Sequence, residues 1–292
     1  MGTVVRSALR LFALLPLPAA HGLGAVIGWL GWVAGGRLRR VTETNLGLCF
    51  AERPPRQRAR LARRSLTEAG KTLTEMGAMW LWAPERAERL VREVRGDDTA
   101  RRLYAEGRGI IALIPHLGCW EICNLYYARR YPLTALYRPP RLVALRDTVH
   151  RARERVGARL VPTSASGVKA LHRALAAGEV IGILPDQDPG RGHGVFAPFF
   201  GIPANTMTLA ARLARRSGAP VVIVYGERLA RGRGYRIHLE EVDKAIADPD
   251  PGRAATAMNA AVERLVRRCP EQYQWSYKRF KTRPDGEGIA YR

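Results

Sequence analysis

The chain is short of acid. Its 292 residues carry 26 Asp and Glu against 48 Lys and Arg, a formal charge of +22, and its pI is near 11.0. Such an imbalance implies polyanionic company: nucleic acid, an anionic membrane face, or acidic partners and substrates. Lysine is scarce as well, with only Lys71, Lys169, Lys244, Lys278 and Lys281. The positive charge is therefore mostly arginine, whose planar fork suits phosphate, though a GC-rich genome would produce the same bias. Aromatic residues interleaved with arginine are missing, as is any recognition-helix module, which argues against a nucleic-acid partner. Cysteine is sparse: Cys49, Cys119, Cys123 and Cys269 suggest no disulfide framework, and a chain this long can bury a core without one. No Cys-x-x-Cys pair occurs. His116, Cys119 and Cys123 could be imagined around a metal, but Cys119 and Cys123 fit one apolar helix face, so no metal is expected.

A clean hydrophobic run is also lacking. Residues 11–36 are almost uncharged and long enough to span a bilayer, yet Pro16, Pro18, His21 and six glycines interrupt them. Arg6 and Arg10 before the run and Arg37, Arg39 and Arg40 after it give no inside–outside asymmetry. A membrane helix that spans or lies on the surface, a secretory signal, and a helix packed on the domain all stay open. Repeats, low-complexity tracts and linkers are absent. The expected organisation is an N-terminal segment, residues 1–40, followed by one domain over residues 41–292.

What is present is an alternation. Residues 41–106 read as helical and strongly charged, with a Met- and Trp-rich amphipathic stretch at 65–82 that either packs on a sheet or walls an acyl chain. From there, apolar β-branched runs at 110–114, 133–138, 159–162, 180–185, 219–225 and 235–239 alternate with helical patterns at 142–156, 167–177, 206–216 and 254–267. This spacing predicts an α/β fold, a single domain with a largely parallel central sheet flanked by helices. Asn205 is the expected N-cap of the 206–216 helix, and Gly218 its terminator.

The centre of the pattern is Gly109-Ile-Ile-Ala-Leu-Ile-Pro115-His116-Leu-Gly-Cys-Trp-Glu121. A strand closed by Pro115 places His116 at the carboxyl end of the sheet, where open α/β folds collect ligands. Glu121 lies about a turn and a half into the next helix. It could reach back to one ring nitrogen and leave the other free as a base; a buried histidine beside a solvated glutamate is the plain alternative. Two more strands end in polar groups on the same edge, at Arg138 and at Asp186-Gln187-Asp188. Arg138 could bind an anionic headgroup or an oxyanion, or make a surface ion pair. Asp186 and Asp188 could position Arg138 or a substrate, or serve as turn residues. Phe199, Phe200 and Asn205 belong to an apolar stretch broken by Gly and Pro; its rings could contact acyl chains or pack in the core.

His116-x-x-x-x-Glu121 after a hydrophobic strand resembles the His-x4-Asp/Glu motif of glycerolipid acyltransferases. The run Pro270-Glu-Gln-Tyr-Gln-Trp-Ser-Tyr-Lys-Arg-Phe-Lys-Thr-Arg-Pro-Asp-Gly286 resembles the C-terminal signature of the lipid A late acyltransferases, and Asn45-Leu-Gly-Leu-Cys-Phe50 and Pro185-Asp-Gln-Asp-Pro189 are similar to the same family. The likeness extends from about residue 10 to 286. It implies a glycerolipid-acyltransferase-like fold with an N-terminal hydrophobic membrane helix at the bacterial inner membrane and an active site facing the cytoplasm. It also implies an O-acyltransferase with His116 and Glu121 as a catalytic pair. The donor would be acyl carrier protein or acyl-CoA, and the acceptor a phosphorylated membrane glycolipid, with no cofactor required because a thioester is already activated. Lysophospholipid acylation and ester hydrolysis are the alternatives. Members often carry a basic residue before the helix near Gly167; here Thr163-Ser-Ala-Ser-Gly167 stands instead, which leaves the acceptor open.

Overall fold

Proline decides how the chain begins. The structure, a computed structural model, describes residues 2–140, 142–284 and 291. Pro16 cannot continue a helix, so the uncharged run is divided between α1 (Gly2–Leu14) and α2 (Leu17–Val33). The single membrane helix expected over residues 11–36 is thereby corrected to two. After Gly35, at φ +65, come α3 (Arg37–Cys49) and the 27-residue α4 (Pro55–Leu81). Glycine lets α2 lie directly on α4: a Cβ at Gly28 would stand 2.1 Å from the Leu66 carbonyl oxygen. Thr74 Oγ1 donates to the Ala20 carbonyl at 2.7 Å, and Trp82 Nε1 to that of Ala13 at 2.6 Å. These contacts fix both N-terminal helices to the rest of the molecule. Their outer side carries exposed Val4, Leu11 and Leu14 on α1, then Leu23, Val26, Trp29, Leu30 and Val33 on α2. Among the described residues no single helix is long and apolar enough to cross a membrane. Only α2 and α3 taken together are, and they are bent by 84°.

The remainder runs α5 (Pro84–Glu88), β1 (Val91–Arg95), α6 (Asp97–Ala105), β2 (Ile110–Leu113), α7 (Trp120–Ala128), β3 (Leu133–Tyr137) and α8 (Val143–Glu154). Then come β4 (Ala158–Pro162), α9 (Ala165–Ala176), β5 (Val180–Ile183), β6 (Gly194–Phe199), β7 (Ile202–Met207), α10 (Leu209–Ser217), β8 (Val221–Arg228), β9 (Tyr235–Glu241) and α11 (Pro251–Arg268). Seven strands form one sheet in the order β1-β9-β8-β2-β5-β3-β4. The five from β8 to β4 are parallel, β9 turns back antiparallel on β8, and β1 runs parallel to β9. This is the expected α/β domain with a mostly parallel sheet. Two features differ. β1 lies within the stretch read as helical, because its sequence Val-Arg-Glu-Val-Arg is a charged edge strand without an apolar run. β6 and β7 form a separate antiparallel hairpin across Phe200 and Gly201.

β2 sits centrally, with all four residues buried. Its alternate side chains feed two cores: Ile111 and Leu113 face a cluster with α11 and the C-terminal aromatics, while Ile110 and Ala112 face one with α7 and β3. Such a strand is held by both layers and makes a rigid base for the turn that carries His116.

Candidate active site

Parallel register brings together residues far apart in sequence. Leu113 of β2 stands beside Ile183 of β5, so three residues further on His116 meets Asp186. The Asp186 carboxylate accepts twice from that one residue, from the backbone N–H at 2.9 Å and from ring Nδ1 at 2.9 Å. Asp186 is buried, and the ring is 13% exposed. Burial alone would push the Asp186 carboxyl up, but the His116 ring and amide outweigh it and hold the carboxyl below its ordinary value. With its proton held on Nδ1, the ring presents the Nε2 lone pair as a base. The amide nitrogen of Gln187 lies 3.2 Å from Nε2 and donates to Gln274 Oε1 at 3.3 Å.

The turn carrying His116 is braced from three sides. Gly118, at φ +61, is so close to β8 that a Cβ would lie 2.0 Å from the Gly226 carbonyl oxygen, so no other residue fits. Cys119 N–H donates to that same oxygen at 2.7 Å. From the C-terminal segment, the Gln272 carbonyl accepts from Gly118 N–H at 3.0 Å, and Gln274 N–H donates to the His116 carbonyl at 3.0 Å. The third brace is Arg228, whose Nη2 donates to the Gly118 carbonyl at 2.9 Å and whose guanidinium pairs with Glu75 through bonds of 2.9 and 2.6 Å. Glu75 is buried on α4. Burial raises its carboxyl, but Arg228 and His21 bring it down to about 2. Of the C-terminal signature, residues 270–284 are thus stitching: Tyr277 OH accepts from Asp188 N–H, and Arg279 Nη1 donates to the Asn205 carbonyl at 2.6 Å.

Glu121 is placed differently from the expectation. Its carboxylate is buried and taken by Arg153 of α8, from Nε at 3.1 Å and Nη2 at 2.5 Å. Among the described residues it makes no hydrogen bond to His116; the imidazole's carboxylate is Asp186. The reason is direction: Cβ atoms on α7 tilt toward its N-terminus, yet Trp120 occupies the place beside the ring, at 5.1 Å between centroids. Burial pulls the Arg153 guanidinium down and the Glu121 charge more than reverses it, so its value is raised. The pair closes one side of a cleft beneath α7 and α8, floored by Ile114, Leu133, Ala135 and Gly182 and reaching Trp120. Trp120 therefore joins the cleft to the imidazole. Arg153 had no sequence signal beyond its phase: on a basic helix it falls beside buried Val149 and Ala152.

The other candidates separate. Arg138 is exposed at the end of β3, with no hydrogen bond or ion pair among the described residues. Asp188 binds neither Arg138 nor His116: it accepts from Gly190 N–H at 2.7 Å, Asn205 Nδ2 at 2.9 Å and Thr282 N–H at 3.1 Å. Asn205 is not an N-cap. It lies buried inside β7, and α10 starts at Leu209 after Thr208. Phe199 and Phe200 pack with Phe50, Tyr273, Trp275 and Phe280 in the core, away from the cleft lining. Cys119 and Cys123 are buried, and among the described residues no group of His, Cys, Asp and Glu could hold a metal ion.

Comparison with known proteins adds the rest. The family model described as bacterial lipid A biosynthesis acyltransferase matches residues 3–282. The lipid A biosynthesis palmitoleoyltransferase of Escherichia coli K12 is 31% identical over 284 residues, 97% of this chain and 92% of that protein. The lauroyltransferase of the same organism is 32% identical over 280 residues, 95% and 90%. Its myristoyltransferase is 26% identical over 276 residues, 94% and 84%.

Proposed function

The chain belongs to the bacterial lipid A biosynthesis acyltransferase family and is an acyltransferase, and from that premise we propose that it moves a fatty acyl group from a thioester to a hydroxyl of a phosphorylated glycolipid, a lipid A precursor. The observation that carries the reading is the His116–Asp186 pair, its imidazole against Trp120, which lines an apolar cleft.

His116 Nε2 takes the proton of the acceptor hydroxyl as that oxygen bonds to the thioester carbonyl carbon. Asp186 keeps the other ring proton in place and stabilises the imidazolium. Negative charge develops on the carbonyl oxygen, and Arg153, clamped by Glu121, is the cation of the cleft positioned to hold it. The carbon–sulfur bond then breaks, the leaving thiolate takes the proton from the imidazolium, and an ester and a thiol remain. The acyl chain lies over Ile114, Leu133, Ala135 and Gly182. Arg138, exposed on the same edge of the sheet and without a partner among the described residues, meets the phosphorylated headgroup.

Acyl carrier protein, which is acidic, is the donor favoured by a chain of +22, with acyl-CoA second. The N-terminal segment, residues 1–40, docks the enzyme on the cytoplasmic face of the inner membrane through the exposed apolar side of α1 and α2. The test is purified protein with acyl carrier protein or CoA thioesters and a phosphorylated lipid A precursor as acceptor, read by mass spectrometry. The expected product is the acceptor plus one fatty acid less one water, with the free thiol released. Free fatty acid as the only product, with any acceptor, would refute the transfer.

A further inference from the structure

We propose that Gln187 gates the base, keeping water off His116 Nε2 until the acceptor hydroxyl displaces its amide. The inference rests on the acyl-transfer reading and deepens it. An imidazole nitrogen has one lone pair, in the ring plane, and it accepts one strong hydrogen bond at a time. Asp186 fixes the ring proton on Nδ1, so that lone pair on Nε2 faces outward. The donor set against it is the Gln187 amide, at 3.2 Å. The same amide nitrogen donates to Gln274 Oε1 at 3.3 Å, and the Gln274 backbone in turn donates to the His116 carbonyl at 3.0 Å. The ring, Gln187 and Gln274 therefore close a loop that holds the amide at the base. The ring is only 13% exposed, and among the described residues Gln187 is the side chain hydrogen-bonded to Nε2, so a group that uses that lone pair has to replace its amide.

The chemistry needs such a device. A thioester at the cleft can be attacked by water as well as by an alcohol. Water oxygen would bond to the carbonyl carbon, its proton would pass to Nε2, the carbon–sulfur bond would break, and the thiolate would take that proton. The outcome is a free acid and a thiol, and the activated donor is wasted. A single water gains little by replacing the amide, because it exchanges one hydrogen bond for another. A glycolipid binds through its sugar and phosphates as well, and that remote binding energy can drive the amide aside.

Gln187→Ala tests this in the full chain, with acyl carrier protein thioester as donor and the same phosphorylated glycolipid as acceptor. The ratio of hydrolysis to transfer should rise about threefold to tenfold, the size of one net hydrogen bond. Acceptor KM should fall at the same time, since no amide has to be displaced. A brace with only a structural role would instead lower both rates together and raise KM. Gln274→Ala removes the amide's second anchor without touching the imidazole; the ratio should move the same way, by less. An unchanged ratio in both variants overturns the gate, and so does loss of the fold in both, which would mark the pair as structural. Wild-type protein that hydrolyses but never transfers would refute acyl transfer itself, a different result from an unmoved ratio.

Discussion

The two buried carboxylates near His116 should fail in different ways when neutralised. Asp186→Asn keeps the volume but leaves one acceptor oxygen for two donors, the His116 amide and ring Nδ1, each at 2.9 Å. If that oxygen stays with the backbone, the new NH₂ faces Nδ1 and draws the ring proton to Nε2. The base is then in the wrong tautomer, and a loss of about 10³–10⁴ in kcat is expected, or about 4–5 kcal/mol in the barrier. Asp186 has its pKa lowered in the fold, so its stabilisation is present above the unfolded carboxylate range and is lost as pH falls through the lowered value. At neutral pH the variant should therefore also melt somewhat lower.

Glu121→Gln strands the Arg153 guanidinium instead. Breaking a buried ion pair costs about 3–5 kcal/mol, and the 19% exposure of the Arg153 side chain puts the expectation at the lower end. Melting should fall clearly, and kcat should drop about 10²–10³ because the cation of the cleft is no longer held. Two double-mutant cycles on kcat separate the pairs. Asp186→Asn should add nothing to His116→Ala, and Glu121→Gln should add little to Arg153→Met, since residues acting as one unit are non-additive. Glu121→Gln that is silent on top of His116→Ala but multiplies with Arg153→Met would refute this assignment and make Glu121 the partner of the imidazole.

Three other perturbations have defined outcomes. Glu75, held at about 2 against 4.5 for an ordinary glutamate, contributes stability that is complete above about pH 4.5 and lost as pH falls toward 2; Glu75→Gln should melt lower at pH 7 and show a flatter acid-unfolding curve over that window. The full chain should sediment with anionic lipid vesicles and stay bound in high salt, because apolar area is buried as well as charge; Trp29→Glu with Leu30→Glu should release it, and unaltered sedimentation would exclude this face. At Gly182 a Cβ would rest 3.7–3.9 Å from Ala135 and Ile114, ordinary contact, so Gly182→Val should fold and shift donor preference to shorter chains in a competition between acyl lengths. An unaltered preference would place the acyl chain elsewhere.

The sequence carries the strands that place the site better than it carries the pairing within it. Ile110 to Leu113, Val180 to Ile183 and Val221 to Val224 are apolar and β-branched because both layers cover them, and that composition is visible without coordinates. The turn after each central strand can be located too, and with it His116, Arg138 and Asp186 on a shared edge. Which carboxylate touches the imidazole is set by register between β2 and β5, seventy residues apart, and by the phase at which α7 leaves its turn. Neither is written in local spacing, so Glu121, five residues away, is the nearer reading and Asp186 the true neighbour. Asn205 illustrates the same limit. A polar residue before a helical run reads as an N-cap, but Phe199-Phe200-Gly201 can turn a hairpin, and the pairing of Phe196 with Asn205 absorbs it into β7. Local patterns specify which groups a strand delivers to an edge; contact between groups from different strands is decided by the register of a parallel sheet, where a shift of one residue would turn Asp186 away from His116.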